Sequence, residues 1–430
     1  MNLSRLFHLA FFVPTSNGFG LPVLFTGKPG RAKTAVAAQW AQQKGVPFLH
    51  LSPGQKGDGY FGVVPVPVKD DNGNDVLMFP PNQDIRAMCD LGRGLILVDE
   101  VRSAPQVIRP ALLGLLQERE FGDIQLPPGI RVIGASNATG DATNGRPLSG
   151  PEANRMCHID WTGFDADQMM AYFTSTSDTL EFEKRGTYDD KKWAKAEDIQ
   201  ARLLELRPSL RPFAAQQVFT FVKRKPSVDA HGKHLGDAMH NMPKAGTDKM
   251  DGPWCSERSW SNVVEVLWTY RALRKLGELS NCPQSEQEDP ELQAIISGLV
   301  GGVGQELLMW ISEQDLPDYG MWLSDREEVT FEKGRDDRAF LIFAGAGYYI
   351  KDLPQKTPAE AAHRRQMAAS FFDKALKYAP KVGFECVMAG VKIVQDNAIA
   401  TGNQADLTSK EAIKFLQTYT EKTRALSAGK

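Results

Sequence analysis

The chain has 430 residues, of which 42% are hydrophobic and 24% charged, and a formal net charge of −3. That length exceeds what one compact core supports, so two or three domains are expected, and the near-neutral charge excludes the basic footprint of a nucleic-acid binder. Five cysteines, Cys89, Cys157, Cys255, Cys282 and Cys386, lack paired spacing, which argues against a disulfide framework or a zinc site and for a reducing, cytoplasmic setting.

In chain order, Met1 to Val13 carries Arg5 followed by an apolar run that His8 interrupts, with no small-x-small cleavage pattern after it. It reads as a first helix rather than a leader. Leu21-Pro22-Val23-Leu24-Phe25 is a strand, Thr26 to Thr34 a glycine turn, and Lys33 to Gln43 a helix. A strand, a glycine turn and a helix in that order frame a phosphate-binding loop. Its backbone N–H groups converge on an anion and the helix N-terminus adds partial positive charge. Within Gly27-Lys28-Pro29-Gly30-Arg31-Ala32-Lys33-Thr34, Lys33 is placed to reach the β and γ phosphates and the Thr34 hydroxyl to ligate Mg²⁺. Ala32 stands where the usual pattern has glycine, at a strain of roughly 1 kcal/mol if the backbone there needs a positive φ.

Further along, Phe48–Leu51 is a strand. Asn72-Gly73 between apolar runs predicts a hairpin, with prolines 65 and 67 confining its first strand to an edge. A helix over Gln83–Leu91 precedes Leu95–Val98, an unbroken apolar run suited to a central parallel strand. That strand ends in Asp99 and Glu100. At this edge Asp99 would hold Mg²⁺ through water and Glu100 would polarise the attacking water. A helix over Gln106–Arg119, a small hairpin at Phe121-Gly122-Asp123 and a strand over Arg131–Ala135 complete an alternation typical of a doubly wound parallel sheet. After Trp161 the strand signal fades. Helices are read at Asp165–Phe173, Trp193–Leu206, Pro212–Lys223 and Ser259–Leu279, with Thr174 to Lys192 an inserted loop and Asn281 to Pro290 a linker. Ala339–Ile350 is too short to span a bilayer and is expected as a buried helix. Thr357 and Thr408 each start a capping-box pattern. His231, His234 and His240 lack ligand spacing and read as a solvated loop.

From Pro22 to Ala272 the chain resembles the MoxR-like AAA+ ATPases. The resemblance rests on the 27–34 loop, in which alanine before the lysine is an accepted variant. Asp58-Gly59-Tyr60-Phe61-Gly62-Val63-Val64-Pro65 with the hairpin after it, and Asp99-Glu100-Val101-Arg102-Ser103-Ala104-Pro105, also match. Three more segments look like the family's sensing elements. Asn137, at the end of Ile130 to Asn137, would contact the γ-phosphate or the attacking water. Arg155, in Leu148-Ser149-Gly150-Pro151-Glu152-Ala153-Asn154-Arg155-Met156, would act as an arginine finger toward an adjacent subunit, with Arg146 and Arg102 as competitors. Arg258, after Glu257 where the family often has proline, would sense nucleotide from a helical lid.

The resemblance implies an α/β P-loop NTPase of AAA+ type with a parallel sheet, an α-helical lid and an α-helical C-terminal region. The corresponding domains are 1–163, 164–280 and 281–430. It further implies ATP and Mg²⁺ as ligands, a homo-oligomeric ring, usually of six, and chaperone-like remodelling of a protein client, often with a von Willebrand factor A partner and without a membrane. The rival reading is a nucleic-acid-stimulated AAA+ motor or restriction-type translocase, which the acidic balance disfavours.

Overall fold

The computed structural model describes residues 2–15, 18–53, 58–62, 64–137, 146–162, 188–224, 239–243, 251–402 and 404–428. The chain divides into two compact units, Met1–Glu205 with Lys225–Met309, and Leu206–Arg224 with Trp310–Lys430.

The first unit is organised by a five-stranded sheet of β1 (Val23–Thr26), β2 (Phe48–Leu51), β3 (Arg93–Val98), β4 (Gly129–Ser136) and β5 (Cys157–Asp160). Their spatial order is β5-β1-β4-β3-β2, and every pairing is parallel. This is the expected α/β parallel sheet, and it fits a P-loop NTPase fold. All six residues of β3 are buried, which is why Leu95–Val98 is an unbroken apolar run rather than an alternating one. Because β4 lies between β1 and β3, with Ser136 beside Thr26 and Gly134 beside Val98, the ends of three strands open onto one edge. The chain leaves β1 toward β2 on one side and reaches β5 on the other, the switch in direction at which α/β sheets form their crevice.

Helices α1 (Leu3–Phe12), α2 (Lys33–Lys44) and α3 (Gln83–Leu91) have the expected extents. Asn82 caps α3 by accepting from Ile85 N at 2.8 Å, and Gly92 ends it at φ +75°, the left-handed position glycine takes without strain. Helix α1 packs through Phe7 on Trp40 of α2, ring centroids 4.2 Å apart. Its Arg5 pairs with Asp289 and Glu291. The helix expected over Gln106–Arg119 is shorter. Helix α4 (Arg109–Leu113) runs into a wider turn, Gly114–Glu118, and stops at Arg119 with φ +60°. The reason is tertiary: the buried Arg119 guanidinium donates to the carbonyls of Phe19 and Pro127 at 2.8 and 3.0 Å. Both expected hairpins form. Val66–Lys69 pairs with Asp75–Met78 across Gly73, and Glu120–Phe121 pairs with Ile124–Gln125.

Helix α5 (Asp190–Arg224) is continuous where two helices were expected. Pro208 and Pro212 sit inside it, and the Pro208 carbonyl, which Pro212 cannot serve, accepts from Lys351 Nζ at 3.3 Å. Helix α6 (Glu257–Lys275) is capped by Ser256. The helix expected at Asp165–Phe173, most of the Thr174 to Lys192 loop, and His231 and His234 lie outside the described residues.

The second unit is helical, with α7 (Asp336–Asp352), α8 (Pro358–Val382), α9 (Phe384–Ala400) and α10 (Lys410–Ala428). Its core gathers Phe343, Phe371, Phe372, Val387 and Phe415. Helices α7 and α9 cross closely because Gly347 lies against the backbone of Gly390. The Thr357 capping box forms as expected. For α10 the cap is Ser409, which accepts from Ala412 N at 3.0 Å, one residue later than the Thr408 expectation. Among the described residues no helix is long and apolar enough to cross a membrane.

Candidate functional site

The loop between β1 and α2 is held from three sides. Gly27 N donates to Ser136 O of β4 at 3.1 Å, and Trp161 N donates to Thr26 O at 2.6 Å. The Trp161 indole donates to Arg31 O at 2.8 Å. Trp161 follows β5 and is buried against Phe25 and Trp40. A Cβ at Gly27 would strike its carbonyl, so the loop must start on glycine. Gly30 has φ +73° with open space where a Cβ would be, and Ala32 has φ +57°. The strain anticipated for alanine is therefore present, on the order of 1 kcal/mol, and it lies in the turn that starts α2. That helix has no side-chain cap, which leaves its first N–H groups to an outside acceptor.

Lys28, Pro29, Gly30, Arg31 and Ala32 are exposed, while Lys33 and Thr34 are half-buried. Lys33 Nζ donates to Gly27 O at 2.8 Å, to Lys28 O at 3.0 Å and to Asn137 Oδ1 at 3.2 Å. Loss of hydration on burial pushes the Lys33 ammonium down, and Asp99 partly offsets this. Thr34 Oγ1 donates to Asp99 Oδ2 at 3.1 Å. Glu100 leaves the strand in the left-handed region, φ +54°, and its N–H caps Asp99 Oδ1 at 2.9 Å. Positive φ at a bulky residue is uncommon and concentrates at functional sites. Lys33 and Thr34 at the start of α2, Asp99 just after β3 and Asn137 just after β4 thus meet at the sheet edge.

One member of this constellation carried no motif signal. His50 of β2 places Nε2 at 3.1 Å from Asp99 Oδ2. Burial alone would raise the Asp99 carboxyl, but hydrogen bonds from His50, Glu100 N and Thr34 outweigh it and hold the group below its usual range. His50 was visible only as the polar residue of Phe48-Leu49-His50-Leu51, and Trp161 had no signal at all.

The three arginines considered for a trans-acting role differ in their surroundings. Arg102 is buried, with Nε bonding both Asp251 oxygens at 3.1 Å and Nη1 donating to Thr26 Oγ1 at 2.9 Å. It therefore cannot reach toward another subunit. Arg146 is exposed. Arg155 is half-buried with an unpartnered Nε. Glu152, considered as its partner, instead accepts from Ser149 N at 2.7 Å and faces Arg109 at 3.8 Å. Arg258 is exposed at the second position of α6, and no hydrogen bond or ion pair ties it to the loop. His240 faces Glu257 at 3.2 Å on the surface, and no described group of three or more His, Cys, Asp or Glu residues could hold a metal.

The donors fit a nucleotide with Mg²⁺: an uncapped helix start, a lysine whose described partners are loop carbonyls and Asn137, and paired hydroxyl and carboxylate oxygens of the hard type Mg²⁺ prefers. No protein-family model and no curated protein matches the chain. Among solved structures it is similar to "a putative ATPase" from Cytophaga hutchinsonii. The two share 16% identity and a TM-score of 0.39, over 64% of this chain and 74% of that one.

Proposed function

We propose that the chain is a Mg²⁺-dependent ATPase of the MoxR-like AAA+ type, acting as a ring-forming remodelling machine on a protein client. The observation that carries this reading is the meeting of Lys33, Thr34, Asp99 and Asn137 beside an uncapped helix start. In this reading the loop amides of residues 27–34 and Lys33 grip the β and γ phosphates. Thr34 and Asp99 would hold the cation. Bound Mg²⁺ supplies charge neutralisation on the phosphate oxygens. Glu100 orients the attacking water and takes its proton, and Asn137 fixes the water or the γ-phosphate from β4. Arg155, half-buried after the 150–153 helical turn, serves the site of an adjacent subunit, where a guanidinium is worth roughly 10³ to 10⁵ in rate. Arg258 comes to the phosphates by movement of a lid, residues 164–280, against the nucleotide domain, residues 1–163. Residues 281–430 add a client-binding or ring-stabilising helical module, and a von Willebrand factor A protein is the expected kind of partner.

The test is a pair of variants. Lys33→Ala is expected to lose ATP binding by calorimetry, whereas Glu100→Gln keeps ATP but releases no phosphate. Unchanged affinity in the first or normal turnover in the second refutes the assignment. A pull-down with the Glu100→Gln protein in ATP then reports the client.

A further inference from the structure

We propose that His50 is a positioning residue for the cation-holding carboxylate, setting the affinity of the site for its divalent metal. The inference rests on the ATPase reading above and adds a residue to it.

Asp99 is fixed by donors from three parts of the chain. Its Oδ1 accepts the Glu100 N–H at 2.9 Å, and its Oδ2 accepts the Thr34 hydroxyl and the His50 Nε2–H, each at 3.1 Å. The carboxylate is the acceptor, so the imidazole presents a protonated Nε2 to it. Of the two groups on Oδ2, Thr34 is itself assigned to the cation. His50 is the one with no other task there. Its place in the fold explains how it reaches. Strand β2 pairs with β3 in the register His50 to Leu97 and Leu51 to Val98, and Asp99 N donates to Leu51 O at 2.8 Å. Leu49 and Leu51 point into the core and His50 points out, along the same edge on which Asp99 emerges.

The core does not require an imidazole there. The His50 side chain is 36% exposed, and Asp99 is the partner it has. An outer partner that fixes a ligand's rotamer acts on metal affinity, and its loss commonly costs about 10- to 100-fold. Without His50, Oδ2 is held only by the flexible hydroxyl of Thr34, and the carboxylate can rotate away from the ligating geometry.

The experiment compares the wild type with His50→Gln, whose amide nitrogen stands near the place of Nε2 and can donate, and with His50→Leu, which cannot. Mn²⁺ binding is titrated by electron paramagnetic resonance in the presence of a non-hydrolysable ATP analogue, and analogue binding is measured separately by calorimetry in EDTA. The expected result is that His50→Leu weakens Mn²⁺ at least 10-fold with metal-free nucleotide affinity unchanged, while His50→Gln stays close to the wild type. A His50→Leu protein that binds Mn²⁺ as the wild type does, a His50→Gln protein as weak as His50→Leu, or an equal loss of nucleotide affinity in EDTA overturns the proposal and leaves the ATPase reading standing. A wild type that binds neither analogue nor Mn²⁺ overturns both.

Discussion

Arg102 offers the sharpest stability test of the architecture around the loop. The residue is 3% exposed. It bonds Asp251 through Nε and Thr26 Oγ1 through Nη1, while Asp251 also accepts Leu148 N at 2.9 Å. One buried ion pair thereby ties the strand that opens the loop to the segments leading toward Arg155 and Arg258. Arg102→Met fills similar volume but leaves the Asp251 carboxylate, 14% exposed, without its guanidinium. Breaking one side of a buried pair costs about 3–5 kcal/mol, and the lower end applies because Asp251 can turn toward water. Asp251→Asn keeps an acceptor for Leu148 but leaves the more deeply buried Arg102 charge without its carboxylate, so it should cost at least as much, about 3–5 kcal/mol. In the double variant no unpaired charge remains, so its cost should fall short of the sum by about 1 kcal/mol or more. Urea unfolding followed by tryptophan fluorescence reads this directly, since Trp40, Trp161, Trp254, Trp260 and Trp268 all lie in the first unit, whose transition is fitted separately from that of the second. Additive single and double costs, or a loss below about 1 kcal/mol for Arg102→Met, would refute the account of a desolvated tie.

Three further outcomes are expected. Arg155→Ala should slow turnover at saturating ATP while sparing ATP binding, and mixing with Lys33→Ala subunits should restore part of the activity; no rescue in the mixture counts against a shared site. Ala32→Gly should raise thermal stability by roughly 1 kcal/mol, because glycine takes φ +57° without strain, and an unchanged melting temperature would mean that the turn is not strained. His8 is held at a pKa of about 3 by burial, with Lys44 and Lys195 adding to the effect. The unfolded chain therefore binds the extra proton between about pH 3 and the ordinary value of 6.5, and stability should fall as pH drops through that window, by about 2 kcal/mol at pH 5 from this group. His8→Leu should flatten that part of the pH–stability curve; an identical acid limb in the variant would show that His8 is not the source.

The sequence by itself determined the alternation of four strands with three helices around the loop closely enough to place the candidate site at one sheet edge. Glycine turns, the unbroken apolar run Leu95–Val98 and the paired acids after it are local signals, set by φ preference and by burial on both faces. The cap at Thr357-Pro358 was legible for the same reason. Tertiary contact decided the rest. β5 is only Cys157–Asp160, too short and too polar to stand out until it pairs with β1. α5 continues through two prolines partly because Lys351, far off in sequence, takes the Pro208 carbonyl. Arg119 ends a helix because carbonyls from other segments surround it. The same distinction divides the site. Lys33, Thr34, Asp99 and Glu100 are spaced along the chain by a motif. His50, Trp161 and the burial of Arg102 follow from sheet register and from carboxylates and carbonyls brought close by folding, and no local pattern encodes an interaction whose two halves lie tens of residues apart.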